Sequence, residues 1–151
     1  MPNWIEGTMK LRGKRENIAR FFREGLEDQK NKVTDNSGND WLEFSFKNKP
    51  YIIGTKGAFI KDSFVYMVDD DGVVSVDIKQ AWAFVTGSET EGLQRWMDIS
   101  NKYNVDIRLY GIERGMQFTQ EIIIVRGKDP INNVKQYEDW DWDCPFPNMG
   151  G

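Results

Sequence analysis

Apolar and polar side chains alternate from Val105 through Asp106, Ile107, Arg108, Leu109 and Tyr110 to Gly111. A period of two is what a strand with one buried face requires. A second run, Met116 to Val125, ends in the apolar series Ile122-Ile123-Ile124-Val125 and predicts a partner strand. The intervening Glu113-Arg114-Gly115 is short enough for a hairpin loop, with Gly115 suited to a positive φ. The 105–125 pair is predicted as the heart of a sheet on which the earlier elements pack.

Taken in order, Trp4 to Leu11 reads as a strand, with Ile5, Met9 and Leu11 partly in alternation and Gly13 as its end. From Lys14 to Leu26 the period changes, and Ile18, Phe21, Phe22 and Leu26 define the apolar face of a helix whose last turn Gly25 weakens. Asp28 to Asp40 is polar, contains Asn36-Ser37-Gly38-Asn39, and is expected to be a mobile connector. Short strands are expected at Trp41–Phe46 and Tyr51–Ile53. Phe64–Val68 and Val73–Ile78 flank Asp69-Asp70-Asp71-Gly72, where Asp71-Gly72 predicts a hairpin. Ala81–Val85 closes that region. Ser88 and Glu91 have capping-box spacing ahead of a helix that runs to Tyr103, with Leu93, Trp96, Met97 and Tyr103 inward and Asn104 at its end. Lys128-Asp129-Pro130 is expected to break the sheet. The chain thus divides into an α+β domain, 1–127, and an arm, 128–151, rich in acids and aromatics.

The absence of histidine changes what chemistry is available. It removes the commonest general base, the commonest metal ligand and the usual Ser–His and Cys–His pairs. Cys144 is the only cysteine, so zinc-finger sites and an intramolecular disulfide are excluded. Asp69, Asp70 and Asp71 lack the spacing and the downstream glutamate of a calcium loop and read as a solvated turn. Gly54-Thr55-Lys56-Gly57 lacks the remainder of a phosphate-loop pattern. No catalytic residue, cofactor or metal is therefore expected. The formal charge of −4 argues against nonspecific DNA binding. No basic-then-apolar leader and no apolar run of membrane-spanning length stands in the sequence, so a cytoplasmic location without membrane attachment is expected.

Met1-Pro2-Asn3-Trp4, Gly54-Thr55-Lys56, Ala81-Trp82, and Tyr110 with Gly115-Met116-Gln117-Phe118 stand in a telling order. In that order the chain resembles the YubB-like or Api-like proteins of bacteriophages and conjugative plasmids, from its N-terminus to about Glu121. The resemblance implies a ferredoxin-like domain, a mainly antiparallel sheet with two helices packed on one face, here with an additional β-hairpin, and carriage on mobile DNA in a bacterial host. It implies no settled catalytic activity. Ile5 stands where that family often has cysteine, Gly57 where it has tryptophan, and Gln120 where it has glycine.

Two functions follow as expectations. One is an accessory protein that binds and inhibits a host protein with a basic surface, such as a defence factor of a CRISPR or restriction system. Its contact residues are expected in the arm: Glu138, Asp139, Trp140, Asp141, Trp142 and Asp143. Carboxylates there can stand in for phosphate charge, and tryptophan is a favoured anchor. The same residues also suit an arm docked on its own domain. The other function is a small-ligand or signalling-nucleotide module, with Thr55, Lys56, Arg108 and Arg114 as candidate ligand contacts.

Overall fold

The computed structural model describes residues 2–28 and 33–149. Four residues of the connector expected to be mobile, 29–32, lie outside the described residues. Among the described residues, eleven strands and three helices follow one another as β1 (Trp4–Lys14), α1 (Arg15–Glu24), β2 (Leu26–Glu27), β3 (Thr34–Asp35), β4 (Leu42–Ser45), β5 (Tyr51–Ile52), β6 (Ala58–Ile60), β7 (Phe64–Met67), β8 (Asp71–Ala81), α2 (Glu89–Tyr103), β9 (Asp106–Glu113), β10 (Phe118–Ile124), β11 (Ile131–Gln136) and α3 (Trp140–Asp143). The fold is α+β. Eight strands form one antiparallel sheet in the order β11-β10-β9-β1-β8-β6-β5-β2, and three form a second, β3-β4-β7.

β1 is central. It pairs along its whole length with β8, from Trp4 opposite Ala81 to Lys14 opposite Asp71, and on its other edge with β9, from Ile5 opposite Glu113 to Arg12 opposite Asp106. The odd residues Ile5, Met9 and Leu11 are fully buried under the helices, joined there by Val74, Val76 and Ile78 of β8 and by Ile107 and Leu109 of β9. α1 and α2 touch each other as well as the sheet, which places both on this face. Ile18, Phe21 and Phe22 bury completely, and Phe22 stacks on Phe44 of β4 at 5.2 Å, so α1 also joins the small sheet to the core. Ser88 caps α2 by accepting the Glu91 N–H at 3.2 Å, and Asn104 ends the helix in the left-handed region at φ 56°.

The 105–125 hairpin forms with Phe118 opposite Glu113 and Ile124 opposite Ile107. Its left-handed residue is Gln117 (φ 60°) and not Gly115. The Glu113 carboxylate accepts the N–H groups of Gly115 and Met116 at 2.7 and 2.6 Å, which closes the turn from a side chain and relieves Gly115 of the task. A second expectation fails outright. β7 and β8 do not form a hairpin across Asp71-Gly72: β7 pairs with β4, and β8 pairs with β1 and β6. An eleven-residue partner in β1 offers far more pairing than a four-residue hairpin, and the tertiary match overrides the turn signal. Lys128-Asp129-Pro130 turns the chain without ending the sheet, because Ile131–Gln136 returns as β11 against β10. The first part of the expected arm is therefore a strand.

Candidate functional site

The side of the sheet away from α1 and α2 carries the even residues of β1, namely Glu6, Thr8, Lys10 and Arg12. Register sets their neighbours. Lys10 lies between Ser75 of β8 and Arg108 of β9, and Thr8 lies between Asp77 and Tyr110. Tyr110 in turn faces Glu121, and Glu121 faces Asn133 of β11. A groove runs across these strands. Its centre, about 380 Å³, is lined by Thr8, Lys10, Arg108, Tyr110 and Glu121. It continues on one side into a hollow of about 260 Å³ that shares Lys10 and Arg108 and adds Arg12, Val73, Asp106 and Ile123. On the other side it passes Tyr110 and Glu121 to reach Thr119, Asn133, Lys135 and Tyr137.

Charge in the groove is unevenly compensated. Arg108 donates to Glu121 at 3.0 Å. Asp106 serves two cations, Arg12 at 2.8 Å and Arg126 at 3.0 Å. Burial opposes ionisation of Asp106, but the Arg126 N–H and the two guanidiniums outweigh it and hold the carboxyl below its ordinary value. Lys10 forms no ion pair among the described residues and sits directly across from Arg108. Facing like charges on a sheet are unfavourable. Asp77 lies one row away, next to Thr8. Burial raises the Tyr110 hydroxyl above its ordinary value, although the residue is 40% exposed. Further along the same face, Lys79 lies 4.4 Å from the Trp4 ring centre, and burial pushes its ammonium down.

A larger hollow, about 610 Å³, lies between α1 and residues 37–39 and is lined mainly by polar groups. Its Arg15 pairs with Asp70 at 3.1 Å and its Arg23 with Asp35, so two of its cations are already answered by acids.

The arm divides the expectations placed on it. Trp140 is 4% exposed, stands edge-on to Tyr137 at 5.3 Å, and donates its indole N–H to Pro147 O at 2.8 Å. With Tyr137 and Cys144 it covers Ile112 on the helix-free face and forms a small core apart from the main one. Gln136 and Tyr137 pin the start of the arm to the β9–β10 turn, donating to Met116 O and Gln117 O. Trp142, two residues on, is 85% exposed. Glu138, Asp139, Asp141 and Asp143 are all exposed around it. The single turn of α3 explains the split, since residues two apart on a helix face different ways.

The other candidates are scattered. Thr55 is buried in the β5–β6 turn, donating to Ile52 O at 2.6 Å and accepting the Ala58 N–H at 3.3 Å. Lys56 is exposed, and its carbonyl accepts from Gln80. Arg108 lines the groove, whereas Arg114 is exposed on the β9–β10 turn. β5 and β9 are separated by β6, β8 and β1, so these four residues do not line one pocket. Lys10, Arg12 and Tyr110 escaped sequence reasoning. Their signal is the polar phase of β1 and β9, which becomes a site only when the two phases meet in register. Among the described residues, no helix is long and apolar enough to cross a membrane, and no cluster of three acidic or cysteine side chains is placed to hold a metal ion. The chain matches no protein-family model, no curated protein and no solved structure.

Proposed function

We propose that this chain is an accessory protein of a bacteriophage or mobile element. It acts in the bacterial cytoplasm by binding and inhibiting a host protein, such as a CRISPR or restriction component, and not by catalysis. The observation that carries this reading is Trp142. A tryptophan 85% exposed, accompanied along the chain by four exposed acids and mounted on a turn that Trp140 docks to the body, is a large apolar anchor in an acidic segment. Water-facing tryptophan has little to recommend it to a lone domain, while a basic partner gains both charge complementarity and apolar contact. Phe146 and Met149, further along the arm, are exposed as well.

The origin rests on the resemblance. The central strand order β9-β1-β8-β6 supports the ferredoxin-like plan that the resemblance implies. In that plan α2 links β8 to β9 across β1, and α1 leads from β1 toward β6 across β8, with β2 to β5 inserted on the way. β10 and β11 then extend one edge, and β5 and β2 the other.

The test is capture of a host partner on the purified chain, followed by binding kinetics. Trp142→Ala should speed dissociation by an amount corresponding to about 2 kcal/mol, as for an interface anchor. Neutralising Asp141 and Asp143 to Asn should slow association and flatten its dependence on salt. Unchanged kinetics in both variants removes the arm as the contact surface.

A further inference from the structure

From the groove on the helix-free face of the sheet we infer a binding site for a nucleoside phosphate, either a free nucleotide or the exposed bases and backbone of a single strand. The site is distinct from the Trp142 surface and of opposite charge preference. Three observations converge on it.

The first is the cross-strand pair Lys10 and Arg108. Directly opposed residues on one face of an antiparallel pair stand about 5 Å apart at Cβ, and two cations there repel. Arg108 is answered by Glu121, but Lys10 has no ion-pair partner among the described residues, and Arg12, next on the same face, shares its only carboxylate with Arg126. A phosphate placed over Lys10 would be met by Lys10 and by the unused donors of Arg12 and Arg108. It would relieve a repulsion already present in the fold.

The second is shape. The cations line the floor of a groove, not a convex surface, and the groove is continuous through residues shared between its segments. Concave walls of low polarisability strengthen the attraction for an anion. The third is the neighbour of the cation cluster. Tyr110 is next to Arg108 on the same face of β9, partly exposed, with Thr8 across from it and Asn133 beyond Glu121. An aromatic ring offers a stacking face to a base, and the hydroxyl and amide groups offer donors and acceptors to its edge. Phosphate, base and edge contacts are thus arranged in sequence along one groove.

The same layout disfavours a duplex. A duplex keeps its bases stacked and out of reach of Tyr110, and a net charge of −4 adds no general attraction for its backbone.

The experiment uses the full chain. Fluorescence anisotropy is measured with a labelled oligothymidylate of about ten nucleotides, within the usual span of a single stacking platform, and calorimetry with AMP. Binding of AMP identifies a free nucleotide as sufficient, and binding of the oligothymidylate alone identifies a strand as the source. Either supports the site, provided that Lys10→Gln and Arg108→Gln each weaken binding on the order of tenfold, the loss of one charge-assisted contact. Tyr110→Leu should weaken it without reducing its salt dependence. Trp142→Ala should leave it unchanged, which separates this site from the arm. Circular dichroism melting on every variant checks the fold, and Lys10, exposed and unpaired among the described residues, is the change least able to disturb it. The inference is overturned if neither probe binds, if the Lys10 and Arg108 variants bind as the unaltered chain does, or if a duplex of the same length binds as tightly as the single strand.

Discussion

Trp140 and Trp142 share a side chain, a helical turn and an acidic neighbourhood, yet their environments are opposite. Trp140→Ala empties the core over Ile112 and leaves Pro147 O without its donor, so stability should fall by about 3 kcal/mol. Trp142→Ala should change it by less than about 0.5 kcal/mol, because the ring is in water. Chemical denaturation of the two variants measures both. Asp106 supplies a second prediction. Its carboxyl is held below the ordinary 3.8 by hydrogen bonds and charges from Arg126 and Arg12, which outweigh its burial. A depressed folded value means stability that is present above the unfolded value and lost as the pH falls through the folded one. Asp106→Asn should therefore cost about 2 kcal/mol at neutral pH. The gap between the two proteins should close only as the pH is lowered below 3.8. A gap that persists unchanged in strong acid would show that Asp106 acts by packing alone.

At the scale of elements, the close pairing of β1 with β9 depends on glycine. Gly7 lies opposite Gly111, and a Cβ on Gly7 would stand 1.9 Å from Tyr110 O. No side-chain movement relieves a clash with backbone. Gly7→Ala should push β9 away from β1 and cost about 3 kcal/mol or more. The same displacement would move Tyr110 and Arg108 and disturb the groove. Gly111 is small for another reason: Phe84, whose ring would lie 2.6 Å from an added Cβ, fills that space, and the Phe84 N–H is held by Gln120 at 2.9 Å. Thermal melting of Gly7→Ala, with Gly127→Ala as the control, separates crowding from backbone conformation. Gly127 has φ 77° and no atom within 4 Å of the added Cβ, so its substitution costs only the strain of a left-handed alanine, about 1 kcal/mol.

For the molecule as a whole, the sheet is long but unevenly supported. β1, β8 and β9 are paired on both sides and sit over the main core. β2 and β3, of two residues each, close the edges of the two sheets. Hydrogen exchange should be slowest at Met9, Val76, Leu109 and Ile122 and fastest at the edge strands. Removing residues 137–151 deletes Tyr137, Trp140 and Cys144 but leaves the main core whole. The truncated chain should stay folded, melt at a lower temperature and exchange faster near Ile112 and Thr119. Loss of protection throughout β1 would show that the arm is needed by the entire domain.

What the sequence by itself determined is everything carried by local period and local capping. The strands at Trp4–Leu11 and 105–125, the helix over Ile18, Phe21 and Phe22, and the helix from Ser88 to Asn104 all follow from the spacing of buried side chains and from groups that bond within a few residues. Tertiary structure decided whatever required a distant partner. Asp71-Gly72 promised a hairpin, but β8 is as long as β1 and pairs with it instead. Ile131–Gln136 alternates weakly and is exposed along most of its length, so only the free edge of β10 makes it a strand. The paired tryptophans of the arm carried no mark of which would dock, because that was settled by the reach of a single turn over Ile112. Lys10 and Arg108 are 98 positions apart and unremarkable in isolation. Antiparallel register sets them face to face, and a site whose meaning is the repulsion between two charges exists only once that register is made.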